Sequence, residues 1–215
     1  MIDLVQAFSP SYAKARIKFL EAAATAGLQI ESHKHPLPGK DGETLAMDVA
    51  LQLPASGGVS DRLLIVSSAS QGDAGFSGSG VQVFALHDAE WLTKARAQHI
   101  TVLYVHAMDP YGFSYQQHTA VDDADLNSAA SWSRQTLHQA LGHVVKNSQR
   151  VAWLDVQTGH GASLMPGVAE LAFPDHGHFT AIALNTVAAG SLAWQGQTIS
   201  QARQALFQAV DGLTV

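Results

Sequence analysis

The chain of 215 residues contains no cysteine. Disulfides, thiolate nucleophiles and cysteine-ligated metals are therefore excluded. Charge is scarce too, at 14% of residues against 47% apolar. Such a chain has the material for a packed core and lacks the composition of a disordered one. Positive charge is in deficit, with 12 Lys and Arg against 18 Asp and Glu and a formal net charge of −6. That balance provides no basic face for nucleic acid. No apolar run approaches the roughly 18 residues of a membrane span, so no membrane partner is expected. Met1 to Pro10 lacks a basic start followed by an apolar run. No signal peptide is expected there, and a cytoplasmic location follows as the expectation. The length suits a single domain over residues 1–215.

Histidine, by contrast, is plentiful, with 11 in the chain. Imidazoles invite metal or acid–base readings, although most are expected on the surface or in local hydrogen bonds. The apolar pattern alternates strands with helices. Tyr12 to Ala26 is rich in helix formers, lies behind Ser11 and ends at Gly27. Leu28–Ser32 and Thr44–Leu53 read as an edge hairpin, with Pro36, Pro38, Gly39 and Gly42 in its turn. Arg62–Ser67, Ile100–Val105, Val151–Val156 and Thr180–Leu184 read as buried strands. Helices are expected up to about His87, then over Ala89–Gln98, Ala129–Asn147 and Ile199–Val210, and 106–127 is expected to be irregular. The four tryptophans, Trp91, Trp132, Trp153 and Trp194, are expected in the core. The sum is an α/β three-layer sandwich whose hairpin makes the central sheet mixed.

Polar, glycine-bearing loops follow three of the buried strands, at 67–79, 106–127 and 157–161. Ligands of open α/β sheets bind beyond the carboxyl ends of strands. The first of these loops reads "SSASQGDAGFSGSGVQ". It is similar to the pattern S-G-T-H-G-x-E-G-F-x-G-S-x-x-Q of the zinc carboxypeptidase superfamily. "VHAMDPYGF" is similar to that family's H-A-x-N-P-Y-G-F. "DADLNS" stands where the family has N-V-D-L-N-R, and "WLDVQTGHG" where it has D-x-H-T-G-x-G. "SPSYAKARIKFLEAAATAG" and "HPLPGKDGETLAMDVA" are similar to its opening helix and hairpin. The chain thus resembles zinc carboxypeptidases, in particular a bacterial branch of carboxypeptidase-like proteins built on a domain of unknown function. The resemblance implies a zinc-carboxypeptidase-like fold and a peptidase-type cleft.

The departures fall on the chemistry. Where the family has its zinc-binding His, Glu and His, this chain has Gln71, Ala74 and Gln157. Where it has the arginine that grips a carboxylate, this chain has Ser128, and Gln117 and His118 stand at an upstream arginine pair. The general-base glutamate aligns with Asn185. Thus no cofactor is expected, although zinc belongs to the resembled family. The cleft candidates are Gln71, Ala74, Gln157, Asn127, His106, Gln117 and His118, with His106 open to a structural or a functional reading. The resemblance then implies an inactive binding or regulatory protein. Its ligand would be a peptide, an amino acid or another small molecule, or a partner protein. Two alternatives keep a hydrolase active. One is a displaced metal at His160, His176 and His178, with Asp73, Asp155 or Asp175 as carboxylates. The other is a serine nucleophile in "GFSGS", served by His106 or His160 with Asp155. Gln71, Ala74 and Gln157 are expected to converge beside Asn127.

Overall fold

Alternate residues along the central strands face two different helix layers. The protein is seen in a computed structural model that describes residues 4–68, 75–116, 129–158, 179–186 and 192–214. The elements are α1 (Leu4–Ala7), α2 (Tyr12–Thr25), β1 (Gln29–Pro38), β2 (Thr44–Gln52), β3 (Arg62–Ser68), α3 (Gly75–His87) and α4 (Ala89–Ala97). There follow β4 (Thr101–His106), α5 (Pro110–Tyr115), α6 (Ala129–Val145), β5 (Arg150–Thr158), β6 (Phe179–Thr186) and α7 (Leu192–Thr214). Among the described residues no helix is long and apolar enough to cross a membrane.

The six strands form one sheet in the order β1-β2-β4-β3-β5-β6. β2 is antiparallel to β1 and β4, while β3, β4, β5 and β6 run parallel. On one face Leu64, Val66, Tyr104 and Leu154 pack with Phe19 of α2, Trp91 of α4 and Leu206 of α7. On the other, Leu63, Ile65, Leu103 and Trp153 pack with Leu137 and Leu141 of α6. This is the expected three-layer α/β/α sandwich with a mixed sheet. Trp91 and Trp153 are core residues, and Trp132 is partly buried against the α6 cluster.

Local signals account for most boundaries. Ser11 caps α2 by accepting from Lys14 N, and Gly27, at φ 74°, takes the left-handed turn after it. Three expectations fail locally. β1 does not stop at Ser32 but runs through Pro36 to Pro38, with a register shift after Lys34. An edge strand is bonded on one side only, so proline can be accommodated there. Helix α5 lies within the segment expected to be irregular. Asp109 caps it by accepting from Gly112 N (2.9 Å), and Pro110 opens it. Finally, α7 begins seven residues earlier than expected and ends at Thr214.

Candidate functional site

The chain reverses its winding beside β3. From β3 it crosses through α3 and α4 to β4 on one side, and α6 on the opposite face leads into β5 on the other side. The carboxyl ends of the adjacent parallel strands β3 and β5 therefore flank a topological switch point, where open α/β sheets form their ligand crevices. Gln157 lies at this end of β5. Its Cα partner on β6 is Asn185, followed by Thr158 opposite Thr186. These two positions, matched to a metal ligand and a general base by separate stretches of sequence, are thus direct cross-strand neighbours.

Helix α3 packs closely on these strand ends. A Cβ at Gly78 would stand 2.5 Å from the Val156 carbonyl oxygen and 2.7 Å from Ser68 Cβ. One at Gly75 would meet the Phe113 ring at 2.5 Å. Four residues beyond Gly78, Gln82 is fully enclosed. Its Nε2 donates to the carbonyls of Val66 (2.9 Å) and Val105 (3.0 Å), and its Oε1 accepts from Ser68 Oγ (3.0 Å). One amide thereby joins α3 to β3 and β4 where the two strands end. Neither Ser79 nor Gln82 was assigned a role from sequence, although both belong to the G-S-x-x-Q part of the matched pattern.

His106 ends β4 with no exposed surface. Its Nε2 and Ser79 Oγ share a 3.0 Å hydrogen bond, and its ring stacks on Phe19 at 4.6 Å between centroids. Burial pushes its pKa down to about 4, partly opposed by the Asp48 carboxylate. Its Nδ1 has no hydrogen-bond partner among the described residues. The serine–histidine–aspartate arrangement considered from sequence is therefore not assembled from His106 and Asp155. His106 pairs with Ser79, no carboxylate among the described residues orients its second nitrogen, and His106 and Ser79 are both buried. Asp155, also buried, accepts from Ser67 Oγ at 2.7 Å, and that hydroxyl in turn accepts from Trp153 Nε1 at 2.8 Å. This chain of bonds ties the ends of β3 and β5 together.

Gln71, Ala74, Gln117, His118, Asn127, Ser128, His160, His176 and His178 lie outside the described residues, as do Asp73 and Asp175. Gln157 and Asn185 are described by backbone alone. Among the described residues no three His, Asp or Glu side chains form a group able to hold a metal.

A family model described as "Protein of unknown function (DUF2817)" matches residues 8–129, more than half of the chain. The chain belongs to this family. The DUF2817 match covers α2, the hairpin, β3, the Gly75–Gln82 segment and β4, and it stops at the start of α6. Among curated proteins none matches the chain. Among solved structures, the chain is similar to the carboxypeptidase A from Helicoverpa armigera, with a TM-score of 0.54 and 7% identity over 93% of this chain and 73% of that one. It is also similar to Macrostomum lignano glutaminyl cyclase, with a TM-score of 0.51 and 11% identity over 95% of this chain and 83% of that one. Identities this low speak to fold alone, and the fold is the zinc-carboxypeptidase type. A carboxypeptidase and a cyclase share it, so the fold by itself names no reaction.

Proposed function

We propose that this carboxypeptidase-like chain is a binding or regulatory protein that lacks zinc-dependent hydrolysis at the site its fold inherits. We read residues 1–215 as one such domain. The observation that carries the reading is the donor set. A hydrolytic zinc takes nitrogens and a carboxylate from the protein and keeps one position open for water. Gln71, Ala74 and Gln157 offer two neutral amides and a methyl. These residues do not fit zinc. Ser128 and Asn185 supply neither the cation that would grip a carboxylate nor a general base. Two further facts support the reading. Gln157 and Asn185 are cross-strand neighbours at the carboxyl ends of β5 and β6, beside the switch point. The motif residues that the chain keeps, Gly75, Gly78, Ser79 and Gln82, have packing and bonding roles that need no metal. What such a cleft retains is neutral hydrogen-bonding capacity, suited to a peptide, an amino acid, another small polar molecule or a protein surface.

The test is metal analysis of protein purified without an affinity tag, with peptide hydrolysis assayed in added zinc. The expected result is zinc far below stoichiometry and no chelator-sensitive hydrolysis. Stoichiometric zinc with hydrolysis lost on replacing His160, His176 or His178 would overturn it in favour of a displaced metal site.

A further inference from the structure

Strand β1 ends the sheet, and its outer edge carries no ladder bonds among the described residues. Such an edge is a template for another strand, and chains that stay single blunt it with proline, charge or a bulge. Here proline and the register shift are confined to one half. Pro36, Pro38 and the shift all fall beyond Lys34. From Gln29 to His35 the strand holds no proline, and every residue but His33 and His35 is exposed.

Apolar surface gathers at the same edge. Among the described residues the exposed large hydrophobic side chains are Ile17, Ile30, Leu37 and Val59, and three of the four belong to α2 or β1. Arg16 of α2 and Ser32 of β1 both donate to the Asp48 carboxylate, at 2.7 and 2.5 Å. The face of β1 that Ile30 shares with Ser32 therefore lies beside α2. Ile17 follows Arg16 on that helix and is 55% exposed. Apolar groups collected at one place mark an interaction surface, as the same groups scattered singly do not.

The order of residues along the edge selects its occupant. In an antiparallel ladder, alternate residues turn both backbone groups to the same neighbour. β2 takes one alternate set from β1, and the other set faces outward. A second β1 related by a two-fold axis offers the same outward set, so the axis must pass through a residue. An axis at Glu31 sets two glutamates face to face, and an axis at Lys34 does so with two lysines. An axis at His33 puts Pro36, which has no N–H, opposite Ile30. An axis at Ser32 avoids all three. It pairs Gln29 with His35, Ile30 with the aliphatic stem of Lys34, and Glu31 with His33, each pair occurring twice. Within one chain His33 Nε2 already lies 3.5 Å from Glu31 Oε1, so in the pair each carboxylate has an imidazole on two sides. This register uses the proline-free half of β1 from end to end.

We propose that two copies of this chain pair antiparallel along β1 about a two-fold axis at Ser32, joining their six-stranded sheets into one. The α2 helices of the two copies then flank the axis on one face of the joined sheet. The pairing uses no residue of the emptied zinc site and holds whatever the cleft binds.

The test uses the full chain. In analytical ultracentrifugation the wild type should pass from dimer to monomer on dilution. Glu31→Lys should raise the dimer dissociation constant by about ten- to thirtyfold, because a cross-strand pair contributes up to about fivefold and this one occurs twice. Ile30→Lys, which sets a lysine opposite Lys34, should act in the same direction. Backbone amide exchange should slow with rising protein concentration at every second residue from 29 to 35. The chain has no native cysteine, so one introduced thiol reports the register. Opposed Cα atoms of an antiparallel pair stand about 4.5–5.5 Å apart, within disulfide reach. Ser32→Cys should therefore give a disulfide-linked dimer under mild oxidation, whereas Glu31→Cys, two positions out of register with its copy, should not. If Ser32→Cys fails to fold for want of its bond to Asp48, the Glu31→Lys shift and the exchange pattern decide. A chain that stays monomeric at submillimolar concentration, a dimer indifferent to both Glu31→Lys and Ile30→Lys, or crosslinking through Glu31→Cys as efficient as through Ser32→Cys would each overturn the proposal. So would slow exchange at these residues that ignores protein concentration, because the edge would then be covered within a single chain. Zinc content bears on none of these readouts.

Discussion

Gly78 has no room for a methyl group. The atom facing it most closely is the Val156 carbonyl oxygen, which belongs to the central sheet and cannot swing aside. Gly78→Ala should therefore destabilise the fold by about 1–3 kcal/mol, read as a lower urea midpoint. Gly142 in α6 offers the contrast, because nothing lies within 4 Å of its added Cβ. Gly142→Ala should stabilise the fold by about 0.5–1 kcal/mol through helix propensity alone, read as a higher urea midpoint. His106 makes a different demand. Burial holds it neutral, with a pKa near 4 in the fold, while the unfolded chain protonates near 6.5. Between these values the unfolded state binds more protons. Stability from this group is thus whole above about pH 6.5 and falls as the pH drops toward 4, by an amount on the order of 3 kcal/mol. Unfolding of wild type and His106→Gln at pH 7 and pH 4.5 checks this, with the smaller decline expected in the variant. An equal decline in both would assign the acid sensitivity to other groups.

Gln82 does for three elements what a ladder does for two strands. Its side chain takes up the Val66 and Val105 carbonyls and the Ser68 hydroxyl at the point where β3 and β4 stop. Gln82→Leu would keep the volume and strand those buried groups, so a loss of about 2–4 kcal/mol is expected in chemical denaturation. At this scale the sequence was readable where one periodicity dominated. The apolar runs of β3, β4 and β5 and the helix formers of α2 gave elements within a few residues of their observed ends. It misled where tertiary context overrode local signals. Pro36 and Pro38 are turn residues by type, yet they lie in β1 because its outer edge needs no ladder bonds. Pro110 reads by type as part of an irregular segment, yet it opens α5 behind the Asp109 cap. Of the site, Gln157 and Asn185 were placed by resemblance, and their backbone pairing is a tertiary fact that no local pattern encodes. The Ser79–His106 bond joins residues 27 apart in sequence. Its two partners sat in two separately matched motifs, with nothing local to connect them.

Over the whole molecule, the proposed emptied site divides into a frame and the three positions matched to zinc ligands in the resembled family. The frame is the switch point between β3 and β5, closed by α3 through Gly78, by Gln82, and by the Trp153–Ser67–Asp155 bonds. All of these are satisfied within the protein, so the frame's stability owes nothing to a metal. A ligand that binds only the folded state raises stability by about 2.7 kcal/mol at a hundredfold excess over its Kd. For a chain of this size that would raise Tm by about 5–11 °C. Wild-type protein should show no such rise with zinc and no fall with chelator in calorimetry. The triple variant Gln71→His, Ala74→Glu and Gln157→His restores two imidazoles and a carboxylate to the frame and should acquire the zinc-dependent rise. Peptidase activity should not return with it, because Ser128 and Asn185 still provide neither clamp nor base. A folded variant that ignores zinc would mean that the three positions do not converge, and the emptied-site reading would fall. A zinc-dependent rise in the wild type would instead locate a metal on residues the resemblance did not assign, with His160, His176 and His178 the first to replace.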